Sequence, residues 1–263
     1  MVQVVGILNV TPDSFYDGGK HNSVTMALNQ AEKMLLEGAD VIDIGCESTR
    51  PGSAKVSLEE ELSRLSSVFP AIRSMTDKPI SIDTYKPEVM VYAIAEGVDM
   101  INDIYALRSP GAMETVAKHN VKVCLMHLHE SIENMHDKPE YNDVIEDVCD
   151  FFTTRIKACE ASGIDKSRII LDPGFGFSKK PNENFKLLKE LKIFERFDLP
   201  IYVGVSRKRF IGSLLEENGP QDRLIGSLIA ASWAFQHGAT YIRTHDVGET
   251  KEAIDMAYAI LNG

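Results

Sequence analysis

Cysteine is scarce in this sequence. There are four cysteines in 263 residues, and no two of them form a Cys-x-x-Cys pair. Cys46 and Cys124 lie inside apolar runs, where the residue is typical of a small buried hydrophobe. We therefore expect no structural disulfides, which fits a protein of the reducing cytoplasm. A chain of this length does not need them, because it can bury roughly 75% of the surface that its unfolded form exposes.

Long apolar runs and positive charge are also in short supply. No stretch approaches the roughly 18 apolar residues of a membrane-spanning helix, and the apolar residues 2–8 lack the basic segment that begins a secretion signal. The chain has 28 lysines and arginines against 39 aspartates and glutamates, a net charge of −11. Such a surface repels nucleic acids and anionic lipid, so we expect neither as a partner. A local cluster of arginine and lysine can still bind a small anionic substrate.

What the sequence does contain is a regular alternation of short apolar runs and amphipathic stretches. The apolar runs predict eight strands, over residues 2–8, 41–45, 80–82, 100–101, 121–126, 169–171, 201–205 and 241–242. Helical periodicity predicts helices over residues 26–37, 58–72, 144–161 and 224–237. Repeated strand–helix units favour a parallel sheet. Since no linker divides the chain, we predict an α/β fold, a single (β/α)8 TIM barrel domain over residues 1–263.

Turn residues and loop lengths agree with this fold. Gly38, Gly97 and Gly238 fall where a helix should stop and the chain turn back toward a strand. The long connections, residues 11–23, 47–57 and 127–141, all follow predicted strands. Long loops on that face of a barrel usually carry function.

Each predicted strand ends in a polar or charged cluster. In chain order these clusters are Asn9; Glu47, Ser48, Thr49 and Arg50; Asp83; Asn102 and Asp103; His127; Asp172; Ser206, Arg207 and Lys208; and Arg243, Thr244 and His245. Buried strands have no use for such residues, whereas barrel enzymes build their active sites at the carboxyl ends of the strands. The pattern therefore predicts an active site at that end.

Two carboxylates are candidates for binding a heterocycle. Asp83 and Asp172 each end an apolar run, and the segment after Asp172 supplies glycines and the flat rings of Phe175 and Phe177. A buried carboxylate needs donors, and a heterocycle with adjacent N–H groups offers two. The alternative is a structural ion pair with lysine or arginine. For Asp103 we favour a structural role as a helix cap, and Asp43, inside strand 2, could be either structural or functional.

The remaining clusters indicate an anion and a hard cation. Asn9 can offer an oxygen ligand to Mg²⁺ beneath the loop of residues 11–23, although a plain surface loop explains that segment too. Arg50, Arg243 and His245 lie on strands 2 and 8, which are near strand 1 in a closed barrel. Arginine suits the binding of phosphate. Arg207 could bind a ligand or form a salt bridge. A zinc site at His127 and His129 lacks a convincing set of further ligands.

Together these segments resemble the dihydropteroate synthase family of pterin-binding TIM barrels. The matching segments are residues 6–15 (GILNVTPDSF), 43–45 (DIG), 47–52 (ESTRPG), 81–84 (SIDT), 101–103 (IND), 126–127 (MH), 172–177 (DPGFGF), 203–208 (VGVSRK) and 243–246 (RTHD). They span nearly the whole chain in order. One segment departs from the family pattern: after Met126-His127 the family usually carries a short Met-Gln-Gly type sequence, where this chain has residues 128–131 (LHES).

The resemblance implies a transferase of folate biosynthesis, a cytoplasmic homodimer that uses Mg²⁺. It would join 6-hydroxymethyl-7,8-dihydropterin diphosphate to p-aminobenzoate by an SN1-like substitution. The implied pterin contacts are Asp83, Asn102, Met126, Asp172, Phe177, Gly204 and Lys208; the p-aminobenzoate contacts are Thr49, Arg50, Pro51, Phe177 and Ser206. Asn9, Arg50, Arg243 and His245 would bind the diphosphate, with Asn9 as the metal ligand; the implied catalytic residues are Asp83, Lys208, Arg243 and His245.

Three alternatives stay open at this point. A methyltetrahydrofolate-dependent methyltransferase would share the pterin contacts but has no use for Asn9, Arg50 or Lys208. A Schiff-base aldolase would use Lys208 with a lowered pKa. A non-catalytic pterin-binding homologue would keep the pocket without the chemistry. For the dimer, residues 229–235, with Trp233, are apolar enough to form an interface, but a buried core helix explains them equally well.

Overall fold

The structure is a closed barrel of eight parallel strands in sequence order, seen in a computed structural model that describes residues 2–11, 20–49, 53, 55–215 and 219–263. The strands are β1 (Gln3–Asn9), β2 (Val41–Gly45), β3 (Ile80–Asp83), β4 (Met100–Asp103), β5 (Lys122–Met126), β6 (Ile169–Asp172), β7 (Ile201–Gly204) and β8 (Ala239–Thr244). The predicted (β/α)8 barrel is confirmed.

Helices surround the barrel. They are α1 (Lys20–Leu36), α2 (Leu58–Met75), α3 (Pro87–Ala95), α4 (Ala112–Ala117), α5 (Val144–Ala161), α6 (Pro181–Lys189), α7 (Arg209–Leu215), α8 (Leu224–Gln236) and α9 (Val247–Asn262). The prediction for α5 is confirmed at both ends. Helix α1 begins at Lys20 rather than at residue 26, because its first turns are polar and show no apolar period. None of the helices in the described ranges combines the length and apolar character that crossing a bilayer requires.

Strand alternation separates two apolar cores. Side chains that point outward pack under the helices, where Phe69 of α2 and Phe152 of α5 are fully buried. Side chains that point inward fill the lower barrel with one compact cluster: Val5, Val41, Met100, Cys124, Ile170, Tyr202 and Tyr241. Because successive residues of a strand face opposite sides, the next inward position lies two residues further along.

That next inward layer is polar on the even-numbered strands. Two residues beyond the apolar layer come Asp43 on β2, Asn102 on β4, Asp172 on β6 and Arg243 on β8. The strand register places residues of the intervening strands at the same level: Asp83 of β3 pairs with Asn102, and Gly204 of β7 pairs with Arg243. The change from apolar to charged thus occurs at one level of the barrel, toward the carboxyl ends of the strands.

The predicted turn glycines end their helices. Gly38, Gly97 and Gly238 have φ angles of 94°, 86° and 96°, in the left-handed region that glycine adopts without strain. After α1, the Ala39 amide bonds to the carbonyl of Met34 at 2.9 Å and the chain enters β2. These turns fix where each strand begins, and so set the level of its polar end.

Candidate active site

Arg243 holds the centre of the polar layer. Its Nε lies 2.6 Å from Oδ2 of Asp43, and one terminal nitrogen lies 2.8 Å from Oδ2 of Asp83. The amide of Asn102 donates to the same Asp43 oxygen at 3.1 Å. Strands β2, β3, β4 and β8 are therefore joined by one network of charge-assisted hydrogen bonds.

Burial makes this network obligatory. Asp43 is fully buried, and an isolated charge there would be strongly unfavourable. Burial opposes the charge on Arg243, but Asp43 and then Asp83 outweigh it and raise the pKa of the guanidinium. Burial raises the pKa of Asp83 to about 7, against the lowering effect of Arg243. The sequence left the role of Asp43 undecided; the structure makes it the deepest partner of Arg243.

Asp172 and Lys208 form a second charged pair that interacts with Arg243. Oδ1 of Asp172 accepts a hydrogen bond from the Gly174 amide at 2.7 Å. Burial raises the pKa of Asp172 to about 6, although Lys208 lowers it. Burial and then Arg243 bring the pKa of Lys208 down to about 8, and Asp172 and Asp83 oppose that change. These mutual effects place three of the predicted pterin residues, Asp83, Asp172 and Lys208, in one electrostatic environment.

An apolar wall stands beside these charges. Met126 and Phe177 belong to one buried cluster with Ile104, Leu128 and Ile132. The Nζ of Lys208 lies 4.0 Å from the centre of the Phe177 ring, a cation–π contact. The ring of His136 stacks on Phe177, with ring centres 6.0 Å apart and planes inclined by 19°. Such a wall suits a flat aromatic ligand.

His136 is a wall residue that the sequence reasoning missed. Burial lowers the pKa of its imidazole, and the backbone of Thr49 opposes that change. Thr49, predicted to contact p-aminobenzoate, is thus brought beside His136, whose ring stacks on Phe177. Histidine in a long loop carries no signal of such a contact, because the pairing with Phe177 depends on how two loops fold together.

Strands β7 and β8 meet at a second polar contact. Oγ of Ser206 lies 3.0 Å from Nδ1 of His245, and the His245 amide donates to the same oxygen at 3.2 Å. Arg207 instead reaches Asp246, with N–O distances of 2.9 and 2.5 Å. The sequence left two interpretations open for Arg207, ligand binding and a salt bridge, and the structure shows the salt bridge.

Asn9 lies at the carboxyl end of β1, next to Gly45 of β2. A β-carbon at Gly45, which pairs with Asn9, would lie 3.5 Å from Oδ1 of Asn9 and 3.7 Å from Oδ2 of Asp83. The side chains of Asn9 and Asp83 therefore lie on either side of Gly45 and within reach of the same space. An amide oxygen beside a carboxylate fits the ligand preference of Mg²⁺. Predicted residues Arg50 and Pro51, and residues 12–19 of the predicted first loop, lie outside the described residues.

Two other predicted residues have structural partners. Asp103 accepts hydrogen bonds from the amides of Tyr105 and Leu107, both at 2.7 Å, and so caps the turn after β4, as expected of a structural residue. His127 has its Nδ1 2.9 Å from Nζ of Lys179. Within the described ranges, no three histidine, cysteine, aspartate or glutamate side chains are grouped to hold a metal ion.

A buried ion network supports the loop after β2. Lys86 lies 2.6 Å from Oε2 of Glu47 and 2.5 Å from Oε2 of Glu61, and it donates to the carbonyl of Val56 at 2.8 Å. Glu61 also accepts from the Thr84 hydroxyl at 2.7 Å. The network ties both ends of the loop that carries Thr49 to α2 and to the end of β3. The sequence marked Glu47 by its position after a predicted strand, but nothing in the sequence indicated its partners.

Comparisons with known proteins agree with this site. A family model described as pterin binding enzyme matches residues 5–245. The curated dihydropteroate synthase of Escherichia coli strain K12 is 49% identical over 259 residues, which cover 98% of this chain and 92% of that protein.

Solved structures give the same relation. The Xanthomonas albilineans dihydropteroate synthase with 4-aminobenzoic acid matches with a TM-score of 0.94 and 45% identity, covering 100% of this chain and 94% of that one. The same enzyme in complex with 7,8-dihydropteroate matches with a TM-score of 0.90 and 42% identity, again covering 100% and 94%. Fold and sequence are therefore similar over the whole barrel.

The Lys86 network yields a stability prediction. Replacing Lys86 with methionine leaves two carboxylates, one of them 2% exposed, without their cation. We expect Lys86→Met to lower the free energy of unfolding by about 3–5 kcal/mol, measured by urea denaturation. Lys55→Met is the matched control, because Lys55 pairs with Glu133 at 2.6 Å but both side chains are 62% exposed. It should change little. Equal losses in the two variants would contradict a special role for the buried network.

Proposed function

The chain belongs to the dihydropteroate synthase family of pterin-binding enzymes, and from this premise we propose how its cavity performs the family's reaction. The enzyme is a transferase of folate biosynthesis. It joins 6-hydroxymethyl-7,8-dihydropterin diphosphate to p-aminobenzoate and releases diphosphate and 7,8-dihydropteroate. The observation that carries the assignment of residues is that Asp172, Lys208, Asp83 and Arg243 interact with one another as a single charged cluster at the carboxyl ends of the strands.

The pterin ring binds between Asp172 and the apolar wall. The carboxylate of Asp172 accepts from the ring N3–H and the 2-amino group, while Lys208 donates to the ring carbonyl. Asn102 and Asp83 face the remaining ring edge, and Met126, Phe177 and Gly204 leave a flat space for it. This assignment is supported by the burial of Asp172, whose second oxygen is not used by the Gly174 amide, because a buried carboxylate gains most from paired donors.

The diphosphate binds toward β1 and β8. Arg243 and His245 contact its oxygens, joined by Arg50 from the loop after β2. Asn9 holds Mg²⁺, which when bound supplies further positive charge to the leaving group. Supporting this, Asn9 and Asp83 flank the same glycine, Gly45. Thr49, Pro51, Phe177 and Ser206 border the p-aminobenzoate.

The chain's charges favour an SN1-like substitution. The bond between the pterin methylene carbon and the diphosphate oxygen breaks, and the electron pair leaves with the diphosphate. The methylene carbon, conjugated with the ring, becomes positive, and Asp83 stabilises that charge while Arg243 stabilises the departing oxygens. The amine nitrogen of p-aminobenzoate then forms the new bond and loses a proton. Because Arg243 is already fixed by Asp43, little reorganisation accompanies the step.

We propose that the protein is a homodimer formed through α6, α7 and α8. Trp233 and Ile229 are exposed on α8, whereas Ala231 and Ala234 on its other side are buried. Residues 229–235 thus have one face buried in the core and one apolar face that is available for an interface. An apolar groove of 320 Å³ runs between these helices, lined by Phe185, Leu188, Ile211, Leu214, Ile229 and Trp233 among others. A patch of this kind is typical of a protein interface.

Turnover is the test of the proposed chemistry. Wild-type protein mixed with the pterin diphosphate, p-aminobenzoate and Mg²⁺ should release diphosphate and dihydropteroate in equal amounts. Asp172→Asn keeps the shape but loses the charged acceptor, so KM for the pterin diphosphate should rise about 10- to 100-fold. Tight pterin binding without turnover by the wild type would favour the non-catalytic homologue, and methyl transfer to a corrinoid would favour the methyltransferase.

Pterin affinity should depend on pH in a bell shape. The acceptor Asp172 is ionised above about pH 6, and the donor Lys208 is protonated below about pH 8. Affinity, measured by fluorescence titration with 6-hydroxymethylpterin, should therefore fall as pH drops through about 6 and again as it rises through about 8. Lys208→Met should lose the alkaline limb and keep the acidic limb, moved to higher pH because Lys208 lowers the pKa of Asp172. A profile that is flat from pH 5 to 9 contradicts both assignments.

The dimer proposal is checked by mass. Light scattering after gel filtration should give twice the chain mass of 29.2 kDa. Ile229→Asp places a charge on the groove, and the protein should run as a monomer. Met256→Asp on α9 is the control, because Met256 is 63% exposed and Ile229 is 65% exposed. A wild type that is monomeric at micromolar concentration, or a control that dissociates equally, contradicts the interface.

A further inference from the structure

The loop after β6, residues 173–180, adopts a constrained backbone. Gly174 and Gly176 have φ angles of 72° and 80°, and Ser178, a residue with a side chain, has a φ of 49°. A β-carbon at Gly174 would collide with the carbonyl oxygen of His127 at the end of β5. A left-handed conformation at a residue such as Ser178 persists only when its surroundings enforce it. The β6 loop therefore needs something that holds it.

Lys179 is the group that holds it from inside. Its side chain is buried, and its Nζ lies 3.1 Å from the carbonyl oxygens of both Gly174 and Phe177 and 2.9 Å from Nδ1 of His127. An ammonium has three N–H donors, so these three acceptors satisfy it fully. The lysine thus joins two points of the β6 loop to each other and to the end of β5.

His127 takes part as an acceptor. Its ring is buried, and burial followed by the charge of Lys179 puts the pKa of His127 well below its ordinary value. The ring is therefore neutral. Burial lowers the pKa of Lys179 to about 7, and Asp172 opposes that change. When Lys179 is protonated, Nδ1 of His127 faces an ammonium and accepts its hydrogen bond, so the ring proton sits on Nε2. In the Met-His pair at the end of β5, the histidine makes this contact. Neither Lys179 nor His127 is among the residues assigned to substrate.

The loop held in this way carries two pterin residues. Gly174 donates its backbone N–H to Asp172 at 2.7 Å, and its carbonyl oxygen, in the next peptide group, accepts from Lys179 at 3.1 Å. The carbonyl oxygen of Phe177 also accepts a hydrogen bond from Lys179, and the Phe177 ring forms part of the apolar wall. We propose that Lys179 and His127 are positioning residues that set the Asp172 carboxylate and the Phe177 ring for the pterin. This role rests on the proposed function.

A second brace keeps the rest of the loop in place. The Gly176 amide donates to Oδ1 of Asn184 on α6 at 2.6 Å, and the amide nitrogen of Asn184 donates to the Lys180 carbonyl at 2.8 Å. The β6 loop is thus anchored to α6 independently of Lys179. Removing Lys179 should shift the Gly174 and Phe177 peptides without unfolding the barrel.

The first test replaces Lys179 with methionine, which keeps the length and loses the donors. Binding of 6-hydroxymethylpterin should weaken about 10- to 100-fold, as expected for lost hydrogen bonds to a charged group. Inhibition by inorganic diphosphate should change less than about threefold, because the residues assigned to diphosphate are outside the β6 loop. Lys180→Met is the matched control: Lys180 pairs with Glu140 at the surface and should leave both values unchanged.

The second test changes His127, which accepts the hydrogen bond from Lys179. It therefore does not require that the Lys179 variant folds. His127→Asn places an amide oxygen near the position of Nδ1 and should keep pterin affinity within about threefold. His127→Leu lacks an acceptor and should weaken pterin binding at least tenfold, again with little effect on diphosphate. The rescue by asparagine separates positioning through the hydrogen bond from simple filling of space.

The outcomes are distinguishable. If Lys179→Met binds the pterin as tightly as wild type, or if the asparagine and leucine variants of His127 lose equally, the positioning role is wrong while the proposed function stands. A uniform loss of pterin and diphosphate binding in Lys179→Met also overturns it, since that indicates general damage to the site. A wild type that binds no pterin contradicts the proposed function and the positioning role together.

Discussion

The ion pairs of Arg243 with Asp43 and Asp83 are the interaction on which the rest of the site depends. Closing a parallel sheet points every second side chain into a barrel that must be filled, and here the filling changes from apolar to charged at one level. A charge at that depth persists only with a partner. The guanidinium from β8 meets carboxylates from β2 and β3, so the strands that form the floor of the cavity also neutralise it.

This pairing has a consequence for catalysis. The resemblance assigned both carboxylates, Asp83 and Asp172, to the pterin, and assigned Arg50, Arg243 and His245 to the diphosphate. In the structure the two are interleaved, because Arg243 bridges two carboxylates while Lys208 interacts with Asp172 and Asp83. Fixed charges of both signs, held by each other before substrate arrives, are what a reaction that separates charge requires. A substrate that brings its own diphosphate and ring donors enters a field that is already oriented.

Much of this was readable from the sequence. Polar residues at the ends of apolar runs marked Asp83, Asp172 and Arg243, because strand ends in a parallel barrel share one edge. Other partners were not readable. Lys179 stands in a run with Lys180, and nothing local distinguishes the buried lysine from its exposed neighbour; only the folding of the β6 loop against β5 does so. Lys86 and His136 are similar cases, since their contacts join segments far apart in the chain.

A crystal structure with a bound 7,8-dihydropterin and inorganic diphosphate tests the central claim most directly. The account predicts the pterin ring within hydrogen-bond distance of Asp172 and Lys208, against Phe177, with diphosphate on the side of Arg243 and His245 and the Asp43–Arg243 pair intact. A ring bound away from Asp172, or an Arg243 side chain that leaves both carboxylates in order to bind either ligand, would contradict it.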